Sequence, residues 1–297
     1  MPSTLSLTAV VVAHDSAGAL PACLAALADE GVPAIVVDNA SRDASAAVAE
    51  AAGARVIRNP RNEGYGRANN IGVRAATEAS HVLILNPDVT LRPGAVAALT
   101  AAVRAYPDAG LLAPRITEPD GRFFYQPRSL LAPYLHNRLG RRDLPEGDAC
   151  APFLSGACLL APRDLFLALG GFDEKIFLFY EDDDLCRRVI EAGRSLVHVH
   201  GAQALHGRGR SSAPEPGRVF RARWHLAWSR AYVGRKYGIT ENPWPGLAAN
   251  AAKAALSALV LRRAGLERYG GSAMGALAAL RGLSALAREG LAETPAP

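Results

Sequence analysis

The sequence predicts an α/β protein, a mostly parallel sheet with helices on both faces, plus a C-terminal helical extension. Three observations carry that expectation. Up to about residue 114, apolar runs of strand length alternate with stripes at helical spacing, the order βαβαβαβαβ. The segments just after the strands are rich in Asp, Asn and Gly, as expected where a parallel sheet meets its ligand. From about Pro216 the chain turns Ala-rich and helical to its end. The expected organisation is a catalytic-type domain over 1–215, in halves of about 1–114 and 115–215, followed by a helical region over 216–297.

The elements follow in order. Leu7–Ala13, LTAVVVA, is a buried-strand run. Leu20, Cys23, Leu24 and Leu27 form a helical stripe. Ala34–Asp38 is a second strand, and the Ala-rich stretch from Ala44 a second helix. Arg55–Arg58 is a short third strand, and Arg67 to Ala79 has helical composition. His81–Leu85 is a fourth strand. Val96, Leu99, Val103 and Tyr106 mark a helix, and Gly110–Pro114 a strand. From Arg115 to Pro152 the pattern dissolves into Pro, Gly, Arg and aromatic residues, which reads as a long substrate-facing loop. Gly156–Pro162 restores a strand, followed by a helix through Leu169. A helix starts at the acidic run near Asp182, and Leu196–His200 is one more strand.

Hydrophobic residues make up 49% and charged residues 21% of the 297, an ordinary globular composition. The formal net charge of +5 is spread widely and carried mostly by Arg. It suits a phosphorylated ligand or an anionic surface. No basic-aromatic stripe or zinc-finger spacing points to nucleic acid. Cys23, Cys150, Cys158 and Cys186 form no C-x-x-C pair and read as reduced, mostly core residues. The N-terminal apolar run is short for a secretory signal, and no run has the length of a spanning helix. The expectation is a cytoplasmic protein.

The strand ends hold the chemistry. Neither G-x-G-x-x-G nor G-x-x-x-x-G-K-[ST] occurs. Asp38 closes the second strand in VVDNAS, where a carboxylate can accept from a ribose or a base; the competing role is a helix cap, which Asn39, Ser41 or Asp43 could equally supply. NPRNEGYGRANNIG, Asn59–Gly72, gathers glycines for close backbone approach and asparagines for paired donors and acceptors. Asp88, in the NPDV turn, offers oxygen to Mg²⁺ or Mn²⁺ on a diphosphate, against the plain reading of an Asn-Pro turn. His206 opens HGRGRSS, against the plain reading of a structural histidine, and Arg208 and Arg210 there could contact phosphates as bidentate donors. In FLFYEDDDLCRRV, Glu181, Asp182, Asp183 and Asp184 stand behind Phe177, Phe179 and Tyr180. A helix N-terminus explains carboxylates there, and so does a base aimed at a cleft.

Together, VVDNAS, NEGYGRANNIG, LILNPDV, GACLLAPR, GGFDEKIFLFYEDDDLCRR and HGRGRSS resemble glycosyltransferase family 2, closest to its bacterial rhamnosyltransferase-type members. The resemblance covers roughly residues 5 to 215. It implies a GT-A type, Rossmann-like fold and inverting sugar transfer from a nucleoside-diphosphate donor. By the family pattern Asp38 holds the nucleobase, and Asn62, Gly64, Arg67 and Asn69 line the nucleotide. Asn86 and Asp88 match the ends of the D-x-D metal motif, here one charge poorer because Asn86 replaces Asp. Asp182 matches the catalytic base, with Glu181, Asp183 and Asp184 orienting it, meeting the acceptor or capping the helix. His206 closes over metal and diphosphate. The first strand ends in AHDS rather than an N-Y-N-like turn, which leaves His14 without a family role.

The resulting expectation is transfer of L-rhamnose from dTDP-rhamnose to a cell-surface glycan precursor or lipid-linked acceptor. Two other readings compete. A sugar nucleotidyltransferase needs a Gly-rich, Arg/Lys-bearing N-terminal signature, which is missing. A non-catalytic nucleotide-sugar-binding protein has no need of base, metal and nucleotide positions together. In the tail, Asn250, Lys253 and Ser257 share a helical face opposite Leu256, Leu259 and Val260, with Arg262, Arg263 and Arg268 beyond. That pattern reads either as a peripheral membrane contact on the inner face or as packing on the enzyme or on a second subunit of a homodimer.

Overall fold

The computed structural model describes residues 5–126, 129–132, 144–207, 209, 211–212, 215–239 and 241–292. The chain divides into two units, one comprising Met1–Phe172 and Asp182–Ala213, the other Asp173–Glu181 and Pro214–Pro297. The short segment Asp173–Glu181 thus groups with the C-terminal helices.

In the first unit the elements run β1 (Leu7–Ala13), α1 (Leu20–Asp29), β2 (Ala34–Asp38), α2 (Ser45–Ala51), β3 (Arg55–Arg58), α3 (Tyr65–Ala75), β4 (His81–Leu85), β5 (Val89–Leu91), α4 (Ala95–Ala105), β6 (Ala109–Thr117), β7 (Phe123–Phe124), β8 (Ala149–Cys150), β9 (Cys158–Pro162), α5 (Arg163–Ala168), α6 (Glu181–Glu191) and β10 (Ser195–His206). They build one sheet in the order β3-β2-β1-β4-β9-β6-β10-β5, with β7 on β6 and β8 on β10. Strands β3, β2, β1 and β4 are parallel, where strand–helix alternation is regular. Strand β9 is antiparallel to both β4 and β6. Strand β10 is parallel to β6 and antiparallel to β5 and β8. The outermost strand β3 has Arg55 and Arg58 exposed at its two ends.

Alternation along each strand sends side chains to two cores. Ala9, Val11, Leu83 and Leu85 pack with Leu20 and Cys23 of α1 and Leu99 of α4. Val10, Val12, Val82 and Ile84 pack with Val73 of α3, Phe166 of α5, and Leu185, Cys186 and Val189 of α6. Helix α3 lies so close to β1 that a Cβ on Gly72 would stand 2.4 Å from Val10 Cγ1. Its Asn70 is buried too, donating to the Phe172 carbonyl and accepting from the Phe172 N–H. Part of the Asn/Gly-rich stretch therefore serves helix packing, and the helix starts at Tyr65, not Arg67. The long loop expected over Arg115–Pro152 contains the end of β6 and the two-residue strands β7 and β8, and β5 follows the NPDV turn. These strands are too short to show a period of two. The four cysteines are free, and only Cys150 among them is exposed.

The second unit holds α7 (Arg218–Lys236), α8 (Pro243–Leu259), α9 (Arg263–Leu280) and α10 (Ala285–Arg288). Phe177, Trp224, Trp228, Ala279 and Leu286 form its core. Helices α7 and α9 touch backbone to backbone, since a Cβ on Gly275 would lie 2.1 Å from the Trp224 carbonyl oxygen. The polar stripe of α8 turns inward: Ser257 is buried against Gly265 of α9, and Lys253 lies over the Tyr269 ring. The apolar stripe faces out, with Leu256 61% and Leu259 82% exposed. Among the described residues, no helix is long and apolar enough to cross a membrane.

Candidate active site

Three groups of residues meet the sheet edge at which β1, β2 and β4 end. The first is the turn between β4 and β5. Its Asp88 is nearly enclosed, and Asp88 Oδ1 accepts from Ser211 Oγ at 2.7 Å and lies 3.4 Å from His206 Nε2. His206 is the last residue of β10 and pairs with Val89, so the sheet itself sets this contact. Burial pushes the Asp88 carboxyl pKa up, but the bonds from His206 and Ser211 outweigh it and hold the pKa below the usual range. Asp88 Oδ2 is buried with no hydrogen-bond partner. An ionised carboxylate with an orphaned oxygen beside a histidine fits a divalent cation. Among the described residues no third His, Cys, Asp or Glu joins them. Mg²⁺ commonly takes one or two protein ligands and completes its shell with phosphate oxygens and water. Arg208 and Arg210 lie outside the described residues.

The second group surrounds the end of β2. Asp38 is 7% exposed, and its Oδ1 accepts from the Ser41 N–H at 3.2 Å. At the start of α2 the carboxylate engaged is that of Asp43, whose Oδ1 accepts from the Ser45 N–H. The organiser here is Asn39, which the sequence reading weighed only as a cap. Its Nδ2 donates to Asn62 Oδ1 at 2.9 Å and to the Gly64 carbonyl at 3.3 Å. Its Oδ1 accepts from Asn59 Nδ2 and the Glu63 N–H, both at 3.0 Å. Asn62 Oδ1 also accepts from the N–H of Gly64, which sits at φ 85°. Arg67 is buried, with Nη1 3.4 Å from Glu63 Oε2. Asn69 is fully buried in α3; its Nδ2 donates to the Tyr65 carbonyl, and its Oδ1 has no hydrogen-bond partner.

The third group is the acidic run. Phe179 and Tyr180, directly before α6, hold left-handed backbone at φ 67° and 69°. For side chains with a Cβ this costs roughly 1–2 kcal/mol per residue. Asp182 Oδ2 accepts from the Gly156 N–H at 2.9 Å, and Oδ1 from the Asp183 N–H at 3.0 Å. Gly156 was not singled out from sequence, yet both its backbone groups are engaged, because its carbonyl accepts from Tyr65 Oη at 2.6 Å. A Cβ at Gly156 would come within 3.1 Å of Asp182 Cβ. The next carbonyl, of Ala157, accepts from the Asn86 N–H at 2.9 Å. Asn86 and Asp182 are thereby joined through two adjacent residues, and Tyr65 ties the start of α3 to the same point.

The acids differ sharply in setting. Asp184 is fully enclosed, and Arg188 binds it while also donating to the Leu169 and Gly171 carbonyls. Through Arg188 it fastens α6 to the Leu169–Gly171 turn. Glu181 is buried. Asp183 accepts from Ser129 Oγ at 3.3 Å. Burial raises the pKa of Asp182, partly opposed by backbone N–H donors. Asp183 is pushed up to about 8, by burial first and by the charge of Asp182 second. Both carboxyls are thus held above the usual carboxylate range, with burial the first cause for each.

The sequence matches Glycosyl transferase family 2 over residues 8–170. It is 32% identical to a protein of Mycobacterium tuberculosis named N-acetylglucosaminyl-diphospho-decaprenol L-rhamnosyltransferase, the match covering 71% of this chain and 81% of the relative. It is 26% identical to the rhamnosyltransferase WbbL of Escherichia coli K12, over 58% of this chain and 71% of that one. In fold it is similar to the mannosyltransferase PcManGT of Pyrobaculum calidifontis, solved with GDP-Man and Mn²⁺. That comparison has a TM-score of 0.59 at 18% identity, over 94% of this chain and 88% of the other. The architecture is GT-A.

The acid pair gives stability a definite pH dependence. Asp183 has a folded pKa above the unfolded value of about 3.9. The folded state therefore binds more protons between roughly pH 4 and pH 8, and stability declines as pH rises through that window. Asp183→Asn is expected to raise Tm near pH 8 and to flatten the decline. Parallel melting curves for variant and wild type across the window would count against the pairing.

Proposed function

The chain belongs to glycosyl transferase family 2, and from that premise we propose that it transfers L-rhamnose from dTDP-rhamnose, with inversion, to a hydroxyl of a glycan precursor or lipid-linked acceptor. The name of the mycobacterial relative supports both the sugar and a lipid-linked acceptor. The observation that carries the reading is the bonded path from Asp182 through Gly156 and Ala157 to Asn86, two residues from Asp88. It sets a candidate base and a candidate diphosphate corner on one edge of the sheet.

In this reading Asp182 accepts the proton of the acceptor hydroxyl as that oxygen attacks the anomeric carbon. The bond to the donor diphosphate breaks on the opposite face, and no covalent enzyme intermediate forms. A raised pKa brings the base toward the working pH, where a general base is most effective. The Gly156 and Asp183 N–H groups hold both carboxylate oxygens and so fix its direction. Asp38, Asn62, Gly64, Arg67 and Asn69 line the nucleotide in the half up to about residue 114, with Asn39 setting the loop. Asp88 and His206 would hold Mg²⁺ or Mn²⁺, whose charge neutralises the leaving diphosphate when bound. Arg208 and Arg210 join as phosphate contacts on sequence grounds.

The tail belongs to the same reading. Leu256, Leu259, Val260 and Leu261 are more than half exposed, and Arg262, Arg263 and Arg268 are exposed beside them in sequence. An apolar ridge next to arginines suits the cytoplasmic face of an anionic membrane, where each basic residue adds about 1 kcal/mol. Such contact would keep the enzyme near a lipid-linked acceptor.

Three measurements check these assignments. Asp182→Asn is expected to keep donor affinity and lose on the order of 10²–10⁴-fold in turnover; near-normal turnover would move the base elsewhere. Titration calorimetry with dTDP-rhamnose is expected to give tighter binding in Mn²⁺ than in EDTA, and Asp88→Asn to abolish the difference. Equal affinity in both buffers refutes the metal assignment. In sedimentation with anionic vesicles the full chain is expected to pellet at low salt, and Leu256→Ser with Leu259→Ser to leave it in solution. A wild-type chain that stays in the supernatant would favour a second copy as the partner of this face.

A further inference from the structure

We propose that one face of α7 is a positioning element for the acidic turn that opens α6. Arg221, His225, Ser229, Tyr232 and Lys236 recur at intervals of four, four, three and four along α7, and so lie on one stripe. Every one of them touches the segment Asp173–Leu178. The Arg221 guanidinium lies 5.2 Å from the centre of the Phe177 ring, and His225 stacks on that ring at 4.7 Å. Ser229 Oγ donates to the Leu178 carbonyl at 2.9 Å. Tyr232 Oη and Lys236 Nζ both donate to Asp173 Oδ2, at 2.9 and 2.7 Å. One residue off the stripe, Arg230 bonds Tyr180 and is itself held by Glu241.

These contacts fall on the residues that lead into the left-handed pair Phe179 and Tyr180. Such backbone persists only where its surroundings over-determine it, and α7 supplies the surroundings. The stripe is fixed in turn: His225 Nε2 and Arg221 Nη2 both lie 2.8 Å from Glu289. A merely apolar helix face would bury Phe177 equally well. Here, instead, a buried serine, a tyrosine hydroxyl and an ammonium each take up a defined oxygen of the segment. Asp182 follows Tyr180 by two residues along the chain, and its Oδ2 accepts from the Gly156 N–H at 2.9 Å. A shift of the segment therefore reaches the carboxylate directly. A misplacement of about 1 Å can cost on the order of 10²-fold in rate.

The inference rests on the reading of Asp182 as the base, and the test separates the two. The full chain carrying Ser229→Ala and Tyr232→Phe loses two hydroxyls with almost no change in volume. Its kcat is expected to fall between roughly 10- and 100-fold, with donor Kd and a cooperative melt retained. Lys236→Met is expected to act in the same direction, and Lys236→Arg to restore turnover. In the Asp182→Asn background the hydroxyl pair is expected to add no further loss, as for residues that act as a unit. Unchanged kcat overturns the proposal, as does a parallel loss of kcat, donor affinity and cooperative melting, or losses that multiply with Asp182→Asn. Near-normal turnover of Asp182→Asn by itself refutes the base assignment, while a kcat loss in the α7 variants with donor Kd intact still upholds the positioning.

Discussion

Strand β9 runs against both of its neighbours, and the site depends on that reversal. A parallel strand beside β4 would start at the far edge of the sheet. Because β9 is antiparallel, Cys158 lies opposite Leu85, and residues 155–157 arrive where β4 ends. Their backbone groups then need partners. The Asn86 N–H, Tyr65 Oη and Asp182 Oδ2 supply them. Three stretches far apart in sequence are thus joined by the ordinary requirement that buried peptide groups be satisfied. Little of this rests on side-chain identity at 156 beyond the absence of a Cβ.

Two carboxylates on this edge are driven in opposite directions. Asp88 is enclosed yet held below the usual carboxylate range by donors from His206 and Ser211. Asp182 has backbone donors as well, but burial prevails, and its neighbour Asp183 shares the burden. A carboxyl with a lowered pKa suits a cation, and one with a raised pKa suits an acceptor hydroxyl. Separating the roles of like residues by environment is a general way to assign acid–base chemistry. Here the environments arise from which strand end each residue follows.

Much of this was legible in the sequence. The strands β1 to β4 announced themselves as apolar runs, and their ends named Asp38, Asn86 and Asp88 before any coordinates. The acidic run marked α6 with Asp182 near its start. What stayed hidden shares a physical cause. Gly156, Tyr65 and Asn39 act through backbone atoms or through asparagine contacts between loops, and such bonds leave no periodic trace. Strands β5, β7 and β8 are two or three residues long and too short to alternate. In α8 the helical pattern separated the two stripes correctly. Which stripe faced inward depended on Gly265 of α9 leaving space for Ser257, a tertiary fact.

The rims of the sheet carry a last consequence. The outermost strands of the main sheet order, β3 and β5, have outer peptide groups that could recruit another chain, and a long apolar rim would seed fibrous association. The rim at β3 is only four residues long, and its first and last side chains are exposed arginines, one of them paired with Glu50. The opposite rim, β5, is three residues long. An incoming strand would gain few hydrogen bonds and would have to strip water from two guanidinium groups. Crowding of many copies on one surface would therefore find little at these two rims to carry the central sheet from molecule to molecule.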